Sequence, residues 1–183
     1  MKHICSNRKD GILISQEKYA RNIVKNFGLD SKKHASPPMS SSTKLYLDSS
    51  GVEVSPTLYR SIIGSLLYLM VSKPDIAFSV GICAWYQAAP KESHLTAVKQ
   101  IIRYVSGTPN YGLWYSKDSN ACFADYSDAD WVGSVDDQKS TSGGCFYLGN
   151  NLVSWMSNKQ NFVSLSMAEA EYIVTGSCCT QLL

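Results

Sequence analysis

Four prolines, Pro56, Pro74, Pro90 and Pro109, divide the middle of the chain, and their spacing constrains the fold more than any other feature. Proline lacks a backbone donor and fixes φ, so a helix starts at it or stops before it. Between these breaks apolar residues recur at helical spacing. Pro56 opens a segment with Tyr59, Ile62, Ile63, Leu66, Leu67 and Met70 on one broad face. Pro74-Asp75 interrupts it, and Asp75 is placed to cap a second helix from Ile76 to about Tyr86. After Pro90 a third helix starts at Ser93, with Leu95, Val98, Ile101, Ile102 and Val105 as its buried stripe. The predicted product is a helical segment over residues 56–116, closed by the Gly107-Thr108-Pro109 turn and a short strand at Gly112–Tyr115.

Upstream, Gly11–Ser15 reads as a strand. Ser15 to Phe27 reads as a helix, with Tyr19, Ile23, Val24 and Phe27 in register and Gly28 as its stop. Lys32-Lys33-His34, Pro37-Pro38 and the Ser40–Thr43 run make an extended linker, so residues 1–55 form a tail and connection. After Lys117-Asp118-Ser119-Asn120 the texture becomes β. Ala121–Ser127 is a strand with Cys122, Ala124 and Tyr126 on one face and Phe123 on the other. Gly143–Leu148 and Leu152–Met156, joined by Gly149-Asn150-Asn151, form a hairpin, and a helix follows from Ser166. The fold class is therefore α+β: a helical segment, then three antiparallel strands and a helix over residues 117–183.

A hydrophobic share of 44% with 17% charged residues describes a chain able to bury a core. The net charge of +2 carries no global basic field for nucleic acid. Cys5, Cys83, Cys122, Cys145, Cys178 and Cys179 show no CxxC pair and no His at metal-ligand spacing; most sit inside apolar runs, as at Ile82-Cys83-Ala84 and Ala121-Cys122-Phe123, and read as reduced core thiols. The first ten residues contain no apolar signal region, and the richest apolar run, Ser61–Val71, is too short to cross a bilayer and contains Gly64. The expectation is an intracellular protein, cytoplasmic or nuclear, without a membrane partner. Lys99 and Arg103 lie four apart on the third helix and could contact phosphates; a solvated face explains them equally. His94 reads as a surface or capping residue.

The acids are distributed differently. Tyr126-Ser-Asp128-Ala-Asp130-Trp131 places carboxylates at a strand end, and Ala168-Glu169-Ala-Glu171-Tyr172 places them at a helix start. Ser166-x-x-Glu169 is a capping box, with Glu169 reaching back to the Ser166 amide. Glu171 lies about 200° further round the helix, in line with Val174 and Cys178. An acid aligned with an apolar stripe is costly unless a partner or metal compensates it. Clustered carboxylates supply the hard oxygen ligands that Mg²⁺ takes.

Several blocks are recognisable in order. Tyr126–Gly133, Asp136–Gly143, Val153-Ser-Trp155 with Lys159-Gln160, and Ala168–Ile173 resemble the ribonuclease H region of copia-type retrotransposon Pol polyproteins. Tyr59–Leu69, Lys73–Ala77 and Arg103–Thr108 resemble the connection before it, and Ile14–Ala20 with Pro38-Met39 the tail of the reverse transcriptase. The resemblance implies a ribonuclease H-like fold over 117–183 and Mg²⁺-dependent hydrolysis of RNA in RNA–DNA hybrids. Asp128 matches the family's first catalytic aspartate and Glu171 its catalytic glutamate, both as metal ligands.

Asp125 stands where the family usually has Gly, and Met167 replaces a small hydroxyl residue. The family's site also uses two later aspartates that follow the helix containing Glu171. The expectation is thus a truncated domain with half of a metal site, inactive as it stands. Two alternatives accompany it: a non-catalytic remnant binding nucleic acid or protein through Lys99 and Arg103, or an effector-like protein derived from the same region.

Overall fold

The computed structural model describes residues 4–29, 37–40 and 44–182. Lys32-Lys33-His34 and residues 41–43 of the expected linker lie outside them. Two compact units are resolved. One is Leu13–Leu113 with the residues up to Asn7; the other is Trp114–Leu183 with Arg8–Ile12. Strands β1 (Ile4–Arg8), β2 (Gly11–Ser15) and β3 (Gly112–Ser116) form a sheet in that order.

The first unit is built on α1 (Glu17–Asn26), α2 (Pro56–Leu69), α3 (Ala77–Ala84) and α4 (Glu92–Gly107). Proline at the first helical position and the Ser55 hydroxyl, which accepts from Leu58 N–H at 3.4 Å, start α2. Its predicted face is buried through Tyr59, Ile62, Ile63 and Leu66, which pack with Val80 and Cys83 of α3 and Val98, Ile101 and Ile102 of α4. Leu67 is exposed instead, and Leu69 takes its place in the core. Asp75 does not cap α3. A 3₁₀ turn at Pro74–Ile76 intervenes, and the Asp75 carboxylate accepts from the Tyr104 hydroxyl at 2.6 Å. Proline in the turn's first position makes the tighter winding start before the α-helix does.

Two buried polar side chains hold this unit's loops. Lys73, 1% exposed, donates to the Thr108 carbonyl at 2.9 Å and its hydroxyl at 3.1 Å, pinning the Gly107-Thr108-Pro109 turn. Burial lowers its pKa, with the Asp75 charge acting in the opposite direction. His94 is a capping residue, as expected, but not a surface one. It is fully buried, its Nδ1 accepts from Lys91 N–H at 2.9 Å, Nε2 lies 2.7 Å from the Tyr46 carbonyl, and its ring stacks on Tyr86 at 4.2 Å.

The second unit contains an antiparallel sheet of β4 (Phe123–Asp130), β5 (Thr141–Leu148) and β6 (Asn151–Lys159), with α5 (Met167–Leu182) packed on it. This is the expected order of three strands and a helix. The β5–β6 turn centres on Gly149 at φ +60°, a left-handed conformation that glycine adopts without strain. On one face Ala170, Val174 and Cys178, one turn apart along α5, are fully buried. Val174 and Cys178 cluster with Phe146, and Ala129 and Met156 pack against them. Of the six cysteines only Cys83 and Cys178 are buried; Cys5, Cys122 and Cys179 are exposed, which corrects the reading of them as core thiols. Cys122 precedes an edge strand, where an apolar run has no second layer to bury it.

Candidate functional site

Asp128 sits near the end of β4, opposite Gly143 of β5. The Gly149 N–H donates to the Cys122 carbonyl at 2.6 Å, which fixes the phase of the ladder: even-numbered residues of β4 bond to β5, and odd-numbered ones direct their amides outwards. No other strand flanks β4, so this outward edge is open at Phe123, Asp125 and Ser127 among the described residues. At Ala129 it is closed by a side chain: the Ala129 N–H donates to Glu171 Oε1 at 3.2 Å.

Two acids separated by 43 positions of sequence therefore lie near one end of one strand. Strand alternation sends the Asp128 side chain to the face of Tyr126, opposite the face on which Ala129 meets α5. Asp128 is exposed and Glu171 half-buried. Glu171 reaches the strand end from the helix side and Asp128 from the other, with the open edge between them.

The remaining acids have local tasks. Glu169 caps α5, but its Oε2 accepts from the Leu165 N–H at 2.7 Å, one residue before the amide expected; the Ser166 hydroxyl accepts from Glu169 N–H at 3.2 Å. Asp130 lies over the turn that follows it, where a Cβ on Gly133 would collide with its carboxylate. Asp125 faces α5. Burial pushes the Cys178 thiol up first, and the Asp125 charge adds to that. Asp137 forms an ion pair with Lys159 at 2.7 Å. Burial opposes its ionisation, and hydrogen bonds from Lys159, Ser134 and the Lys139 amide outweigh burial and lower its pKa.

As a metal centre the donor set fits in kind but not in number, and its two acids approach the strand end from opposite faces. Carboxylate oxygens suit Mg²⁺. Among the described residues, however, no group of three or more His, Cys, Asp or Glu is arranged to hold an ion.

Lys99 and Arg103 belong to the first unit. Lys99 borders a cleft of ≈ 290 Å³ with Phe27, Leu58, Ile62, Leu95 and Ile102, and Arg103 is exposed. Sequence reasoning missed a second pair of cations: Arg21 and Lys25 of α1 line a cleft of ≈ 240 Å³ with Ser106 and Pro109. Their i,i+4 spacing on a predicted helix was the available signal.

No family model matches the chain, and no solved structure matches it. Curated proteins do. It is 41% identical over 162 residues to the retrovirus-related Pol polyprotein from transposon RE1 of Arabidopsis thaliana, covering 88% of this chain and 11% of that protein. The uncharacterized mitochondrial protein AtMg00810 of the same plant is 38% identical over 88% of this chain and 67% of its own length. Secreted RxLR effector protein 161 of Plasmopara viticola is 42% identical over 63% of this chain and 82% of its own length. The chain spans only about a ninth of the RE1 polyprotein. Over most of its length the chain is similar, at 34–41% identity, to one segment of the Pol polyproteins of copia-type retrotransposons.

Proposed function

We propose that residues 117–183 are the first part of a ribonuclease H-like domain, and that Asp128 and Glu171 are two of its metal-binding acids. The observation that supports this reading is the Glu171–Ala129 hydrogen bond, which brings the helix acid to the residue after Asp128. The substrate class is the RNA strand of an RNA–DNA hybrid and the metal is Mg²⁺, which supplies water activation and leaving-oxygen stabilisation in phosphodiester hydrolysis. The protein's own part is to hold two carboxylates at a strand end. Two carboxylates leave most of the coordination sphere of Mg²⁺ to water, so weak binding and no turnover are expected from this pair of acids alone.

The test is a Mg²⁺-dependent cleavage assay on a labelled RNA–DNA hybrid with a polypeptide of these 183 residues, and Asp128→Asn beside it. No cleavage by either is expected. Cleavage by the parent that is lost in Asp128→Asn refutes the inactivity and supports the site; cleavage retained in Asp128→Asn refutes the site.

A second reading is a non-catalytic role in binding nucleic acid or a protein. Two observations favour it: Lys25 beside the Arg21–Glu17 ion pair at a cleft of the first unit, and the likeness to effector protein 161 along 82% of that protein's length. Hybrid binding that weakens steeply with salt, without cleavage, supports it.

A further inference from the structure

Trp131 and Gln160, so far only members of the family's motifs, stand between β4 and α5. Gln160 follows β6 and is 6% exposed. Its Nε2 donates to the Ser142 hydroxyl of β5 at 3.1 Å and to the Ala170 carbonyl of α5 at 3.1 Å. Its Oε1 accepts from the Ser164 hydroxyl at 2.9 Å, and its backbone N–H donates to the Ser140 carbonyl at 2.8 Å. A carbonyl only accepts, so the Ala170 contact decides which end of the amide is nitrogen, and Ser164 is then the donor to the oxygen. From Ser164 the network reaches the residue that follows β4: the Trp131 indole N–H donates to the Ser164 carbonyl at 3.3 Å. Trp131 lies three residues after Asp128, and Ala170 directly precedes Glu171. One connected set of hydrogen bonds therefore links the residue after the strand of one acid to the helical turn of the other.

We infer that Gln160 is a positioning residue: its amide seats the first turn of α5 against β5 and so holds the Glu171 carboxylate at the Ala129 N–H. The inference rests on the reading of Asp128 and Glu171 as site acids, although the contact itself needs no metal. Apolar packing does not replace it. Val174 and Cys178 lie one and two turns beyond Ala170, and hydrophobic contact is non-directional. It sets how close the helix sits, while the rotation and axial position of its first turn need bonds with direction. Gln160 supplies them from a buried position where its polar atoms would be costly if unpaired.

Amide hydrogen exchange, read residue by residue by NMR on the 183-residue protein, tests this. The Ala129 amide points away from β5 and owes its protection to Glu171, whereas the Tyr126 and Asp128 amides bond to β5 and report the sheet. Gln160→Leu keeps much of the volume and removes the bonds. Ala129 exchange is expected to rise about tenfold, the loss of one modest hydrogen bond, with Tyr126 and Asp128 changing less than about twofold. Ser164→Ala, a milder variant, moves Ala129 alone by about threefold and carries the test if Gln160→Leu does not fold. Equal acceleration at all three amides means a purely structural role and overturns the inference, as does an unchanged Ala129 in a folded variant. Hybrid cleavage has no part in this readout, so failure of the metal-site reading is seen separately.

Discussion

Gly144 of β5 lies against Cys178 of α5 in the second unit. A Cβ placed there would lie 3.0 Å from Cys178 Sγ and 3.2 Å from Met156 Cγ, tighter than ordinary van der Waals contact. Met156 is flexible and can yield. Cys178 cannot yield easily, because Val174 and Ala170 on the same face of α5 are fully buried and keep the helix from receding. Overpacking of this kind costs about 1–3 kcal/mol. Replacing Gly inside a strand recovers about 0.5–1 kcal/mol of backbone entropy. Gly144→Ala is therefore expected to destabilise the unit by about 1 kcal/mol net. Cys178→Ala alone, which removes a buried sulfur, costs about 1 kcal/mol through the small cavity left. The double variant fills that space with the new methyl group. The pair should be non-additive, with the double variant more stable than the sum of the singles predicts by about 1 kcal/mol. The assay is urea unfolding followed by far-ultraviolet circular dichroism and tryptophan fluorescence, comparing midpoints at constant slope. Strict additivity within about 0.3 kcal/mol would refute the seating of α5 over Gly144, and with it the route by which Glu171 reaches Ala129.

Two other outcomes concern the first unit. His94→Phe keeps the ring stacked on Tyr86 but leaves the Lys91 N–H and the Tyr46 carbonyl without their partner, so a loss of about 3 kcal/mol is expected in the urea midpoint. Burial pushes the Cys83 thiol up to about 12 from 9.0, with its hydrogen bond to Tyr59 acting the other way. A thiol raised in the folded state ionises first in the unfolded chain, so its effect on stability is nil below about pH 9 and grows unfavourably towards pH 12. Unfolding titrations between these limits should show stability falling with pH, and Cys83→Ala should flatten that fall while lowering stability at pH 7. An unchanged slope contradicts the burial argument.

The parts of the fold legible in the sequence were those set by local chemistry. Proline at 56 and the apolar spacing through Leu66 located α2, and Gly149-Asn150-Asn151 located the hairpin, because each rule acts within a few residues. What failed depended on partners far along the chain. Asp75 was read as a cap because capping is local, yet Tyr104, 29 residues on, takes its carboxylate. Strand β1 went unread because Ile4–Arg8 has little apolar alternation and is a strand by pairing in the β1-β2-β3 sheet. Glu171 was separated from Glu169 by helix geometry alone, and its alignment with Val174 and Cys178 proved to be alignment with buried residues. Its partner, a backbone amide on β4, has no signature in sequence. Gln160 likewise carried only its place in a motif, since a buried amide is defined by the groups that surround it.

The central claim, that Asp128 and Glu171 together form part of a divalent-metal site at the open end of β4, is most directly tested with Mn²⁺, a paramagnetic ion that takes the same hard oxygen donors. Titrated into the ¹⁵N-labelled 183-residue protein, Mn²⁺ should first broaden the amides of Asp128, Ala129 and Glu171. Binding should be weak, and the selective broadening should vanish in Asp128→Asn and in Glu171→Gln. Broadening that starts elsewhere, or that survives both substitutions, would contradict the account.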